Sequence, residues 1–232
     1  MRKIGILGGS FLPMHQGHLR MAKAARSGLS LDQVWILPNG KPPYKKVSDE
    51  ISIEDRLQLI RLLIFREPGL VLKDLECRRS AFSYSYQTMT ELDLSHPDVQ
   101  FYFIMGEDSL NYFDHWRHPE IITRHAKIAV VGRPLTDGKQ TDQSENEDPD
   151  FNSLPLEEKC RAMAKKYDQD FLLLPMEPLG ASSSEIRSRL HSLTGNERKG
   201  LLQDSMALKA YAASVYLSPE ELTYILDHQL FI

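Results

Sequence analysis

Runs of apolar residues as long as a short strand recur at 3–7, 34–37, 70–72, 100–105, 127–131 and 171–174. Between them apolar positions fall three and four apart, a spacing that predicts helices over 18–26, 53–65, 86–94, 119–124 and 156–167. Strands alternating with helices argue for βαβ units and an α/β fold with a doubly wound parallel sheet. Ser52, three residues before Asp55, reads as a helix cap. From residue 182 onward the strand pattern stops, and helical periods run over 184–191, 201–216 and 219–228. The expected organisation is an α/β core (1–181) followed by a small helical C-terminal subdomain (182–232). Its last helix has the clearest start, with Ser218 as N-cap, Pro219 at the first position and Glu221 at the third.

Composition changes this picture little. With 232 residues, 41% hydrophobic and 26% charged, the chain can bury a full core. It contains no eighteen consecutive apolar residues, and the apolar run in MRKIGILGGSF is too short for a secretory signal, so a cytoplasmic protein is expected. Cys77 and Cys160 stand apart without a CxxC companion and read as reduced, structural thiols. The net charge of −4 hides an asymmetry: residues 135–158 carry eight acids and one lysine, which leaves the remainder of the chain at +3. The folded body is then mildly basic and suited to phosphate ligands. Residues 136–152 lack periodicity and are rich in Asp, Glu, Gln, Asn and Ser. They read as a mobile surface insertion, about 135–155, whose deletion would cost little stability.

Candidate chemistry concentrates in GGSFLPMHQGH, residues 8–18, between the first strand and the first helix. Gly8 and Gly9 allow a phosphate to approach the main chain, Ser10 adds a hydroxyl, and Pro13 fixes the turn. His15 and His18 project two imidazoles to one place, beside a helix N-terminus that favours anions. The plainer alternative is a glycine turn with two incidental histidines. Neither GxGxxG nor GxxxxGK[ST] occurs. A second helix start lies in SSSEIR, where Ser182 and Glu185 have the spacing of a capping box and Arg187 sits one turn inside. It is either a cap alone or a second phosphate site.

GGSFLPMHQGH resembles the GG(T/S)FDPxHxGH signature of the HxGH nucleotidyltransferase superfamily, and SSSEIRSRL (182–190) resembles its ISSTEIR signature. LPNGKPPYKK (37–46), SYSYQTM (83–89), MGEDSLNYFDHW (105–116) and VVGRP (130–134) resemble, in order, further segments of the bacterial nicotinate mononucleotide adenylyltransferases. The resemblance implies a Rossmann-like fold and adenylyl transfer from ATP to nicotinate mononucleotide in NAD biosynthesis, with Mg2+ carried on the polyphosphate and no metal ligand from protein side chains. It implies that His15, His18 and Ser10 are catalytic, and that Gly8, Gly9, Phe11, Asp108, Ser183, Ile186 and Arg187 bind ATP. Lys41, Lys45, Ser85, Trp116 and Arg133 would bind the mononucleotide. Leu12, Met14, Tyr44 and Glu107 depart from the family pattern.

Bland readings stand beside several of these assignments. Asp108 could be a plain N-cap, Trp116 a core residue, and Lys41 and Lys45 solvated loop lysines. His115 and His118, spaced i, i+3, lack a third ligand and read as structural or surface residues. The rival functions are adenylyl transfer to nicotinamide mononucleotide or phosphopantetheine, a class I aminoacyl-tRNA ligase, and a nucleotide sensor without catalysis. The ligase is disfavoured by the short chain, the missing KMSKS-like loop and the absence of a basic RNA-binding face. ATP and a mononucleotide are the expected partners, with no nucleic acid and no membrane. The acidic insertion and the extra residues around 195–212 could serve a homo-oligomer.

Overall fold

A computed structural model describes residues 1–40, 51–132, 149–177, 179–180 and 182–231. The first half runs β1 (Arg2–Gly9), α1 (Gln16–Gly28), β2 (Gln33–Pro38), α2 (Ile53–Ile64), β3 (Leu70–Leu72), α3 (Ser85–Ser95) and β4 (Val99–Gly106). It continues with α4 (Glu107–Asn111), a 3-10 turn (Phe113–His115), α5 (Pro119–His125), β5 (Lys127–Gly132), α6 (Pro149–Ser153), α7 (Leu156–Tyr167) and β6 (Phe171–Pro175). Four helices close the chain: α8 (Ser183–His191), α9 (Gly195–Gln203), α10 (Ser205–Ser214) and α11 (Pro219–Asp227).

The six strands form one parallel sheet in the order β3-β2-β1-β4-β5-β6. Ile6 of β1 lies beside Trp35 on one side and Phe103 on the other, so β1 is central and buried on both faces. The twofold alternation of side chains then divides the core. Ile4, Ile6, Trp35, Phe101, Phe103, Ile128 and Val130 face α3, α5 and α7, whose Met89, Ile122 and Cys160 fill that side. Leu7, Val34, Ile36, Ile104 and Val131 face α1 and α2 through Leu19, Ala22, Ala25, Ile60 and Leu63. The strand order reverses between β1 and β4, which opens a crevice outside the carboxyl ends of these two strands.

A third apolar cluster packs α8, α10 and α11, through Ile186, Leu190, Leu208, Val215, Leu222 and Ile225, against Leu12, Ile51 and Leu59 of the preceding chain. Two expected features differ here. The single helix over 201–216 is two helices, because Asp204 accepts N–H bonds from Met206 and Ala207 and so caps α10, while Thr194 and Glu197 start α9 with a capping box. The end of the aperiodic acidic segment is helical: α6 spans Pro149–Ser153, and Phe151 packs on the first core cluster. An aromatic side chain with an apolar surface to meet outweighs the polar composition around it. Residues 136–148 of that segment lie outside the described residues. Ser52 and Ser218 cap α2 and α11 as expected.

Candidate active site

From Gly9 the chain crosses the reversal point of the sheet and enters α1. His15 is the N-cap of α1, with extended backbone angles (φ −147°, ψ 175°). Its Nδ1 accepts the Gly17 N–H at 3.1 Å, and His18 Nδ1 accepts the His15 N–H at 3.3 Å. This is a capping box in which two imidazoles take the places usual for Ser and Glu. It decides the tautomer. A ring nitrogen that accepts a hydrogen bond carries no proton, so each neutral ring holds its proton on Nε2. The two rings lie 4.0 Å apart, and Phe11 meets His18 edge-on at 5.1 Å. Burial lowers the pKa of His15 to about 4. His18 is lowered to about 3, by burial first and by neighbouring His15 second. Both rings are therefore neutral at pH 7 and offer two adjacent Nε2–H donors on the sides facing away from the capped amides.

The expectation of bare helix amides around an anion needs correction. The Gln16 N–H donates to the Tyr216 carbonyl at 2.9 Å, and the Gly17 N–H is taken by His15. A side-chain cap and a phosphate compete for the same orphan donors, and here the cap holds the Gly17 N–H while the Tyr216 carbonyl holds that of Gln16. The imidazoles pass that polarity outward, since an N–H bonded to Nδ1 polarises the ring and strengthens Nε2–H as a donor. Close approach explains one glycine: a Cβ at Gly9 would stand 2.8 Å from the Phe11 ring.

The second signature docks on the first. Ser182 caps α8 by accepting the Glu185 N–H at 3.1 Å, which is one half of the expected capping box. Ser183 Oγ donates to the Pro13 carbonyl at 3.0 Å, and Arg187 Nη1 donates to the Leu12 carbonyl at 2.6 Å. Residues 170 positions apart in the chain thus share one loop. Ile186 is different: its side chain is buried in the third cluster, which leaves only its main chain for a ligand.

Asp108 lies exposed in the first turn of α4, beside the reversal point. The plain N-cap alternative is replaced, because Gly106 holds that position. Ser85 opens α3, and its neighbours reach the Trp116 segment. Arg117 lies over the Tyr84 ring at 4.8 Å, and Tyr86 packs edge-on to His118 at 4.8 Å. Trp116 itself is half-buried against Phe103 and Phe113, so it has both a core side and an open side. Lys41, Lys45 and Arg133 lie outside the described residues. Among the described residues no group of three His, Cys, Asp or Glu is placed to hold a metal ion, and His118 pairs with Glu120.

Two residues gave no signal in the sequence. Arg56 of α2, 1% exposed, donates Nη1 to the Ser10 carbonyl at 3.2 Å and Nη2 to Cys77 Sγ at 3.4 Å. Lys159 of α7, 2% exposed, pairs with Glu107 at 2.7 Å. The second contact explains why an acid stands at position 107, since it neutralises a lysine buried beside the sheet. Burial raises both thiols, Cys160 to about 11, so both are protonated at neutral pH.

A model of the cytidylyltransferase-like family matches residues 6–189. The chain is 35% identical over 190 residues to a protein of Lachnoclostridium phytofermentans named "Probable nicotinate-nucleotide adenylyltransferase", covering 82% of this chain and 88% of that one. The chain belongs to the cytidylyltransferase-like family. Within that family it sits with the nicotinate-nucleotide adenylyltransferases. A second relative of the same printed name, from Bacillus cereus (strain ATCC 10987 / NRS 248), is 42% identical over 134 residues, 58% of this chain and 71% of its own. Among solved structures, the nicotinic acid mononucleotide adenylyltransferase of Plasmodium falciparum complexed with NaAD superposes with a TM-score of 0.70 at 20% identity. It covers 100% of this chain and 98% of its own, a likeness of fold. No described helix of this family member is long and apolar enough to cross a membrane.

Proposed function

We propose that the protein transfers the adenylyl group of ATP to nicotinate mononucleotide, giving nicotinate adenine dinucleotide and pyrophosphate in NAD biosynthesis. The observation that carries this reading is the double-histidine cap: two fixed Nε2–H donors, side by side at the crevice where the strand order reverses. A mononucleotide phosphate is already an anion near pH 7, so the reaction needs no strong base. It needs two anions held in line and the rising charge on the α-phosphate met by preorganised donors.

In this reading His15 and His18 donate to the triphosphate, with Gly8, Gly9, Ser10 and Phe11 beneath it. Ser183 and Arg187 approach from the second signature, and Ser85 and Trp116 offer a polar group and a flat face to the pyridine ring. Lys41, Lys45 and Arg133, which lie outside the described residues, would add positive charge for the mononucleotide phosphate. Mg2+ bound with ATP supplies charge neutralisation, and phosphate oxygens and water suit it as ligands. The cytoplasm suits the reaction, since free thiols and ATP coexist there. The test is pyrophosphate release from Mg-ATP with nicotinate mononucleotide, nicotinamide mononucleotide or phosphopantetheine. Release fastest with the nicotinate form supports the reading. Preference for another acceptor changes the substrate, and no release with any acceptor leaves a nucleotide-binding protein without transferase activity.

A further inference from the structure

Arg56 belongs to neither signature, yet its buried guanidinium reaches the first of them. Its bond to Ser10 fixes more than one carbonyl. A trans peptide is planar, with C=O and N–H pointing opposite ways. The Ser10–Phe11 peptide is trans, since among the described residues the cis bond is at Leu12–Pro13. With the Ser10 carbonyl held toward α2, the Phe11 N–H points the opposite way, away from α2. That N–H donates to no described residue. Phe11 holds a left-handed backbone (φ 49°), which a small rotation of this peptide would release, and its ring is the edge contact of His18. The other arm of the guanidinium is braced by Cys77, whose thiol donates to the Pro38 carbonyl at the end of β2 at 3.5 Å.

We propose that Arg56 is a positioning residue of the transfer reaction: by holding the Ser10 carbonyl inward it aims the Phe11 N–H at the phosphate on which charge rises. The proposal rests on the adenylyl-transfer reading. A charged donor on the carbonyl also polarises the peptide and makes its N–H a stronger donor. The ligand therefore feels Arg56 through one peptide unit and never touches it. A lysine keeps the charge but lacks the planar fork that spans Ser10 and Cys77 at once.

The experiment compares wild type, Arg56→Lys, Arg56→Met and, as a control on the same helix, exposed Arg61→Met. Pyrophosphate release gives kcat and KM, and the 15N–1H resonance of Phe11 is followed as Mg-ATP is added without acceptor. Arg56→Met is expected to lower kcat about 10- to 100-fold, the span of one charge-assisted hydrogen bond, with KM for ATP within about 3-fold. Arg56→Lys recovers less than half of the loss, Arg61→Met stays within about 2-fold, and the wild-type Phe11 shift on ATP disappears in both Arg56 variants. If a folded Arg56 variant keeps kcat within about 2-fold, or Phe11 responds to ATP as in wild type, the proposal is overturned. Should Arg56→Met fail to fold, Arg56→Lys decides on the same readings. If wild type releases no pyrophosphate, the transfer reading fails, and the Phe11 response to ATP still decides whether Arg56 orients that amide.

Discussion

Replacing His15 by Asn keeps a side-chain acceptor at the N-cap of α1 but removes a group that titrates between pH 4 and pH 7. In the folded protein His15, 5% exposed, sits at about 4, against about 6.5 in the unfolded chain. Between these values the unfolded state binds a proton that the folded state refuses. Stability from this group is complete above about pH 6.5 and is lost as pH falls toward about 4. From pH 7.5 to 5.5 the loss assigned to His15 is about 1.4 kcal/mol. Glu221 acts in the opposite direction. It is fully buried at the third position of α11, and burial raises it to about 8. Its contribution is complete below about 4.5 and is lost as pH rises through about 8, so the same acidification adds about 2.5 kcal/mol.

Differences between variants cancel the titrating groups that neither substitution touches; His18, which feels His15, is the one expected to respond to His15→Asn. Urea unfolding at pH 7.5 and 5.5 should show His15→Asn losing about 1.4 kcal/mol less than wild type on acidification. Glu221→Gln, which keeps a capping side chain, should lose about 2.5 kcal/mol more. The opposite signs are the discriminating feature. If both variants shift with pH in parallel with wild type, neither group is held where burial places it, and the neutral-donor description of the histidine pair is refuted.

Two other outcomes follow from the same geometry. His18→Ala removes one of the two Nε2–H donors and should lower kcat for pyrophosphate release about 100-fold or more, with an intact circular dichroism spectrum; an unchanged rate removes His18 from the site. Glu107→Ala leaves Lys159 buried without its partner and should cost about 3 kcal/mol in urea unfolding, whereas an unchanged midpoint would mean that the lysine finds water. Both readouts use the full chain.

The strand runs were legible because a sheet buried on both faces leaves continuous apolar stretches, and α7 was legible to the residue because its apolar period has no competing signal. The break between α9 and α10 was carried by Asp204, an ordinary N-cap residue, but helical periods on either side of it align and mask the interruption. The start of α1 was less readable, because histidine is not a usual cap and only the fold shows its Nδ1 against Gly17. Arg56 was invisible for another reason: within SIEDRLQLI an arginine beside an apolar face reads as a solvated edge. Its burial depends on a loop 46 residues earlier in the chain. Pairings such as Lys159 with Glu107, or Ser183 with Pro13, depend likewise on topology rather than on local pattern.

Leu12 ties the signature loop to the C-terminal helices, and it gives the departure from the family's acid at that position a physical cause. Its side chain is 5% exposed in the cluster that holds Val215, Leu222 and Ile225. Its carbonyl accepts Arg187, and the neighbouring Pro13 carbonyl accepts Ser183. The loop that carries His15 is thus held from the C-terminal side by one apolar side chain and two carbonyls, and the Tyr216 carbonyl adds a fourth tie at Gln16. Restoring an acid by Leu12→Asp would withdraw about 2 kcal/mol of apolar burial and set a carboxylate among aliphatic side chains. The expected cost is about 3 kcal/mol or more by urea unfolding, together with a raised KM for ATP, because the two signatures lose their common packing. Nearby Arg187, which already donates to the Leu12 carbonyl, offers a compensating charge. If Leu12→Asp proves as stable as wild type with unchanged KM, the charge has been absorbed there, and the loop is positioned by its polar ties rather than by the apolar cluster beneath it.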